Sequence, residues 1–89
     1  MADESRMSPS VIDVKLAIAQ EAHDADAKYG DFASMHEAYG VLAEEVAELF
    51  DAVRMAQTRR DRGLAIRREA IQVAAVALRM ASQAERVTR

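Results

Sequence analysis

From Ser34 to Val53 the charged residues are Glu37, Glu44, Glu45, Glu48 and Asp51, with no lysine or arginine among them. On a helix, Glu44 and Glu48 are four apart and Glu45 and Glu48 three apart, so their carboxylates crowd adjoining surface. Like charges so placed repel by a few tenths of a kcal/mol each. A structural surface helix relieves this with lysines; one that keeps the repulsion has oxygen ligands to offer a hard cation. Mg2+ suits such a site because it takes carboxylate oxygens and retains several waters, and Mn2+ can substitute for it. Further along, Glu69 stands just before the uncharged run Ala70 to Leu78, with Gln72 three residues on. Two glutamates from one helix and one from another make an interhelical carboxylate cluster, a recurrent use of bundle cores. The structural alternatives are a solvated acidic face for Glu44, Glu45 and Glu48, a dipole-favoured acid near a helix start for Glu69, and a hydrogen-bonded interface amide for Gln72.

Basic residues gather beside these acids. Arg54, Arg59, Arg60, Arg62, Arg67 and Arg68 are opposed within their own stretch only by Asp61. Guanidinium forks bind phosphate oxygens bidentately. A carboxylate-held cation next to an arginine-rich segment is the combination a triphosphate site needs, with Arg59, Arg60, Arg62, Arg67 and Arg68 as candidate phosphate contacts. An ordinary soluble connection is the plainer reading of the same arginines.

The elements that must position these groups are helices. Nineteen of the 89 residues are alanine, against three glycines and one proline, a composition that favours helix throughout. Residues 1–9 read as a flexible tail and 10–89 as one domain, with Ser8 or Ser10 as the first cap. A first helix is predicted from about Ser10 to Lys28. Val11, Val14, Ile18, Ala22, Ala25 and Tyr29 form its apolar stripe, widened by Ile12, Leu16, Ala19 and His23. Gly30 is suited to the left-handed turn that ends it.

Ser34 and Glu37 form a capping-box signature for a second helix reaching about Gln57. Its packing stripe is Met35, Tyr39, Leu42, Val46, Leu49 and Val53. A break is expected over Thr58–Gly63, then a third helix from about Leu64 to Glu85. Apolar residues surround this third helix almost completely, so two partners from one chain hardly suffice to cover it. The expected fold is therefore all-α: a three-helix chain that completes a four-helix-bundle-type core by homo-oligomerisation, as a homodimer or homotetramer.

Two segments carry a family likeness. HEAYGVLAEEVAELFDAV (residues 36–53) and RREAIQVAAVALRMA (residues 67–81) resemble, in order, the two metal-binding helices of the MazG-like all-α nucleoside triphosphate pyrophosphohydrolases. KYGDFAS, before the first of them, is similar to a subgroup of short MazG-like proteins. The resemblance implies a Mg2+ site and hydrolysis of a nucleoside triphosphate to monophosphate and pyrophosphate. It assigns Glu45 and Glu48 to the first acidic pair and Glu69 to the glutamate of the second, as metal ligands and catalytic groups, with Glu44 as an additional candidate. Gln72 stands where the family has aspartate. An amide still offers an oxygen but removes one negative charge, which favours the alternative of an inactive homologue that binds a nucleotide or serves as a helical interaction module.

Composition excludes several other classes. A net charge of −3 argues against a general nucleic-acid binder. The absence of cysteine removes disulfides and thiolate metal sites. The longest uncharged run is too short to span a bilayer, and MADESRMSPS has no apolar core of a secretory signal, so a cytoplasmic location is the default expectation.

Overall fold

The computed structural model describes residues 9–55 and 59–88, which form three α-helices: α1 (Pro9–Tyr29), α2 (Met35–Met55) and α3 (Arg59–Thr88). The expected N-terminal tail up to Ser8, Gln57 at the expected end of the second helix, and Thr58 of the expected break lie outside these residues. α1 stops at Gly30, whose φ of 72° is the left-handed conformation expected there. The Gly30 N–H closes the last turn on the Asp26 carbonyl at 2.9 Å.

The start of α2 is capped nearly as its sequence signature requires. The Glu37 N–H donates to Ser34 Oγ at 3.0 Å, while Glu37 Oε1 accepts from the Ala33 N–H at 2.9 Å. The return bond thus reaches one residue beyond the amide that a capping box uses.

The expected break over Thr58–Gly63 is corrected by the structure. Arg59–Gly63 belong to α3, which runs unbroken to Thr88 and is about 45 Å long. A single glycine costs a helix only about 1 kcal/mol, and the arginines around Gly63 are good helix formers. At the other end no glycine or proline follows Glu85 to stop the helix earlier.

α1 and α2 both pack on α3 and hardly touch each other. The molecule is accordingly thin, 19 Å in its least dimension, about two helix diameters. The buried apolar residues are Ala22, Ala38, Ile71, Ala75 and Val76, three of them alanines, so the helices approach closely through small side chains. In α1 the main stripe from Val14 to Ala25 faces inward, but the widening side, Ile12, Leu16, Ala19 and His23, is exposed.

α2 is rotated relative to its expected stripe. Ala38 is fully buried, and Val41, Leu42, Glu45, Leu49 and Ala52 are half-buried, whereas Met35, Tyr39, Val46 and Val53 are exposed. α3 turns Ile71, Ala75, Val76 and Arg79 inward and leaves Ala77, Leu78 and Ala81 exposed, so only part of its apolar circumference is covered within the chain.

Three side chains of α3 fasten the turn between α1 and α2. Arg79, almost fully buried, donates from Nε to Asp26 Oδ1 at 2.8 Å and from Nη2 to the Gly30 carbonyl at 3.0 Å. Its guanidinium lies 4.4 Å from the centre of the Phe32 ring. One turn on, the Gln83 amide bonds both the N–H and the carbonyl of Phe32, each at 2.9 Å. Arg86 pairs with Asp31 at the outer edge.

Candidate metal centre

Glu45 and Glu48 project from one side of α2, and Glu69 meets them from α3. One carboxylate oxygen from each lies within 4.8 Å of the others. Glu45 and Glu69 are half-buried and Glu48 is exposed, so the cluster has a protected side and an open side. The helical phase explains this. Glu45 sits beside Ala38 and Ala52 on the face of α2 that packs on α3, and Glu48 lies about 60° further round.

Glu69 occupies the third turn of α3, ten residues beyond Arg59. A helix-dipole preference acts only within the first turn and so does not account for its place there. Among the described residues it pairs with Arg68, Nε to Oε2 at 3.3 Å, and the Arg68 side chain is mostly exposed.

The Glu45 carboxyl is held above its ordinary value of 4.5. Burial is the leading cause, followed by the negative charges of Glu48, Glu69, Glu44 and Glu21. Glu44 itself is exposed and stands outside the cluster of three. Three converging carboxylates with little cationic compensation fit a hard divalent cation by donor type and by charge.

Because the folded pKa of Glu45 is raised, the folded state holds more protons than the unfolded chain between pH 4.5 and that raised value. Stability of the metal-free protein therefore falls as pH rises through this window. Glu45→Gln is expected to raise the urea midpoint of the metal-free protein at pH 7, with the gain vanishing below pH 4.5. Unfolding curves at pH 7 and pH 4 check this; an equal effect at both would contradict it.

Beside the cluster lies a cleft of about 480 Å³ between the three helices, within the usual range for small-molecule sites. Glu45 and Gln72 line one part of it, and Tyr29, Gly30 and Phe32 of the α1–α2 turn line another. Val41, Ala75 and Val76 supply apolar wall, and Glu21 enters from α1. Gln72, half-buried, is one turn from Glu69 and so sits at the junction of cluster and cleft.

The arginine series is arranged differently from the acids. Arg62, Arg67 and Arg68 are exposed, and the backbone of Arg59 and Arg60 forms the start of α3. Of these, Arg62, Arg67 and Arg68 do not line the cleft, and among the described side chains Arg68 touches the cluster, through Glu69. The arginine that does line the cleft is Arg79.

Arg79 and Glu21 are the two groups that sequence reasoning missed. Each had a signal. Glu21 is three residues after Ile18 and four before Ala25, an acid on an apolar stripe, and Arg79 is the only charged residue between Glu69 and Glu85. His23 and His36 are both exposed and lie apart from the cluster and the cleft.

No family model matches the chain, and no curated protein or solved structure matches it either.

Proposed function

We propose that this protein is a Mg2+-dependent nucleoside triphosphate pyrophosphohydrolase of the MazG-like kind, working as a cytoplasmic homo-oligomer. The observation that carries the reading is the meeting of Glu45, Glu48 and Glu69 within 4.8 Å at the side of a cleft of about 480 Å³. These three glutamates hold the cation, with Gln72 as a weak neutral ligand and Glu44 adding negative potential nearby. Bound there, Mg2+ or Mn2+ supplies neutralisation of phosphate charge and an acidified water. The attacking water gives up its proton to one of these carboxylates or is acidified by the cation itself. Water adds to a phosphorus of the α–β anhydride, that anhydride bond breaks, and the products are a nucleoside monophosphate and pyrophosphate.

Arg62 shares its side of α3 with Glu69, two turns away, and Arg67 and Arg68 lie nearer. With Arg59 and Arg60 they make a basic helix start, a place where phosphate groups are welcome. Self-association is supported by the thin, alanine-lined core, which leaves thirteen large apolar side chains exposed among the described residues. Its expected form is a four-helix-type core shared between copies. Among the described residues no helix is long and apolar enough to cross a membrane. The test is product analysis: with Mg2+ and a panel of nucleoside triphosphates, the expected products are monophosphate and pyrophosphate, and diphosphate with orthophosphate would contradict the assignment.

Gln72 supports a second reading, an inactive homologue that retains the fold and a nucleotide- or partner-binding role. Gln72→Asp separates the two. In an active enzyme with a weakened site, the added carboxylate tightens Mn2+ binding by about tenfold, one charge contact worth roughly 1.4 kcal/mol, and turnover at limiting metal rises with it. Tighter metal binding without any turnover, in both proteins, would favour the inactive homologue.

A further inference from the structure

Most of the large apolar side chains of α2 are left uncovered by their own chain. Met35, Tyr39, Val46, Phe50 and Val53 are 37%, 66%, 47%, 60% and 42% exposed. At 100° per residue they fall within an arc of about 60° and extend for about 27 Å along the helix. Every acid of α2, the cluster glutamates included, lies more than about 100° from the midline of this strip. The five residues of the strip are therefore uncharged, although the helix as a whole is acidic; Arg54 borders one end, its guanidinium 5.4 Å from the centre of the Phe50 ring.

We infer that this strip is the surface through which two copies of the chain pair, α2 against α2. The inference deepens the self-association reading above and rests on it. Area is the first argument. The uncovered surface of the five side chains is on the order of 500 Å² per chain, near the upper limit for an exposed patch on a monomer. Paired with its own image it buries about 1,000 Å², the threshold of a specific interface. Charge is the second. Five uncharged side chains meet their copies without burying an ion, while Arg54, paired with Asp51, stays at the edge and the acids of both α2 helices remain on the far sides.

The third argument is the poverty of the core. No large side chain is fully buried among the described residues, and the body is 19 Å thick. A fold this thin needs its cover permanently, and a second copy is present whenever the chain is. Pairing along α2 also leaves the cleft, which Glu37, Val41 and Glu45 line from the far side of the helix, open to solvent.

The experiment is sedimentation of the full chain beside Val46→Glu, at the middle of the strip. Wild type is expected to sediment as a dimer or larger, with association weakened about 30-fold or more in the variant. Association as tight as wild type in Val46→Glu overturns the assigned face while leaving self-association standing. A monomeric wild type at roughly 100 µM overturns both.

Because the separated variant is open to unfolding, a second measurement uses the absence of native cysteine. Val46→Cys is expected to cross-link between copies with a bis-maleimide spanning about 8 Å, the closest spacing of packed helices. Asp51→Cys, on the acidic side, is expected not to. Cross-linking at position 51 and not at 46 overturns the proposal. Mn2+ binding, measured on the same samples, reports separately on the carboxylate site.

Discussion

Glu69→Gln is expected to lower the production of monophosphate and pyrophosphate by about a thousandfold or more, equivalent to at least ~4 kcal/mol of transition-state stabilisation. The change is nearly isosteric, so packing around residue 69 is retained while one of three converging charges is lost. Glu69 is also the one member of the cluster from α3, and without its charge both remaining carboxylates come from a single helix. Steady-state rates at saturating Mg2+ measure the effect. If the loss is recovered by raising Mg2+ alone, Glu69 acts in holding the cation. If it persists at saturation, Glu69 acts on the reacting groups as well. Activity within a factor of about three of wild type under all metal concentrations would remove Glu69 from the site.

The second large effect concerns stability. Arg79→Ala is expected to cost about 2–4 kcal/mol, because it strips the Gly30 carbonyl and Asp26 of a charged, nearly buried donor and leaves the Phe32 ring without its cation. Asp26 is partly exposed and recovers some hydration, which keeps the loss toward the lower end. For a domain of this size each kcal/mol corresponds to about 4–8 °C in Tm. Arg79→Lys is expected to recover only part of the loss, since an ammonium lacks the planar fork that reaches two acceptors while stacking on a ring. Thermal unfolding at matched protein concentration, in the absence of metal, decides the matter. A shift below about 2 °C for the alanine variant would show that the turn is held without Arg79.

The acid cluster was legible in the sequence for a simple reason. Glu45 and Glu48 are separated by three residues, and helical geometry alone puts them on one side of α2, while Glu69 heads the long apolar run of α3 that must pack inward. The stop at Gly30 and the Ser34–Glu37 cap were legible because each depends on local chemistry within a turn. Less legible was the rotation of α2. Met35, Tyr39, Val46 and Val53 outweigh Ala38 in any hydrophobic count, but the small side chain of Ala38 permits the closer helix approach, and the larger residues are left facing outward. The start of α3 falls inside the break expected over Thr58–Gly63 because one glycine among good helix formers is only a modest cost. Arg79 escaped notice because its partners, Asp26 and Gly30, are about fifty residues away in the chain and become neighbours only when α1 folds onto α3.

Mn2+ binding followed by electron paramagnetic resonance, for the wild type and for Glu48→Gln, tests the central claim most directly, because Mn2+ reports on an oxygen-ligand site without requiring turnover. The expected result is binding by the wild type and affinity weakened about 100-fold by Glu48→Gln, as the loss of one of three charged ligands requires. Absence of binding by the wild type at millimolar Mn2+, with and without a nucleoside triphosphate, would contradict the account and leave the three glutamates as a solvated acidic face.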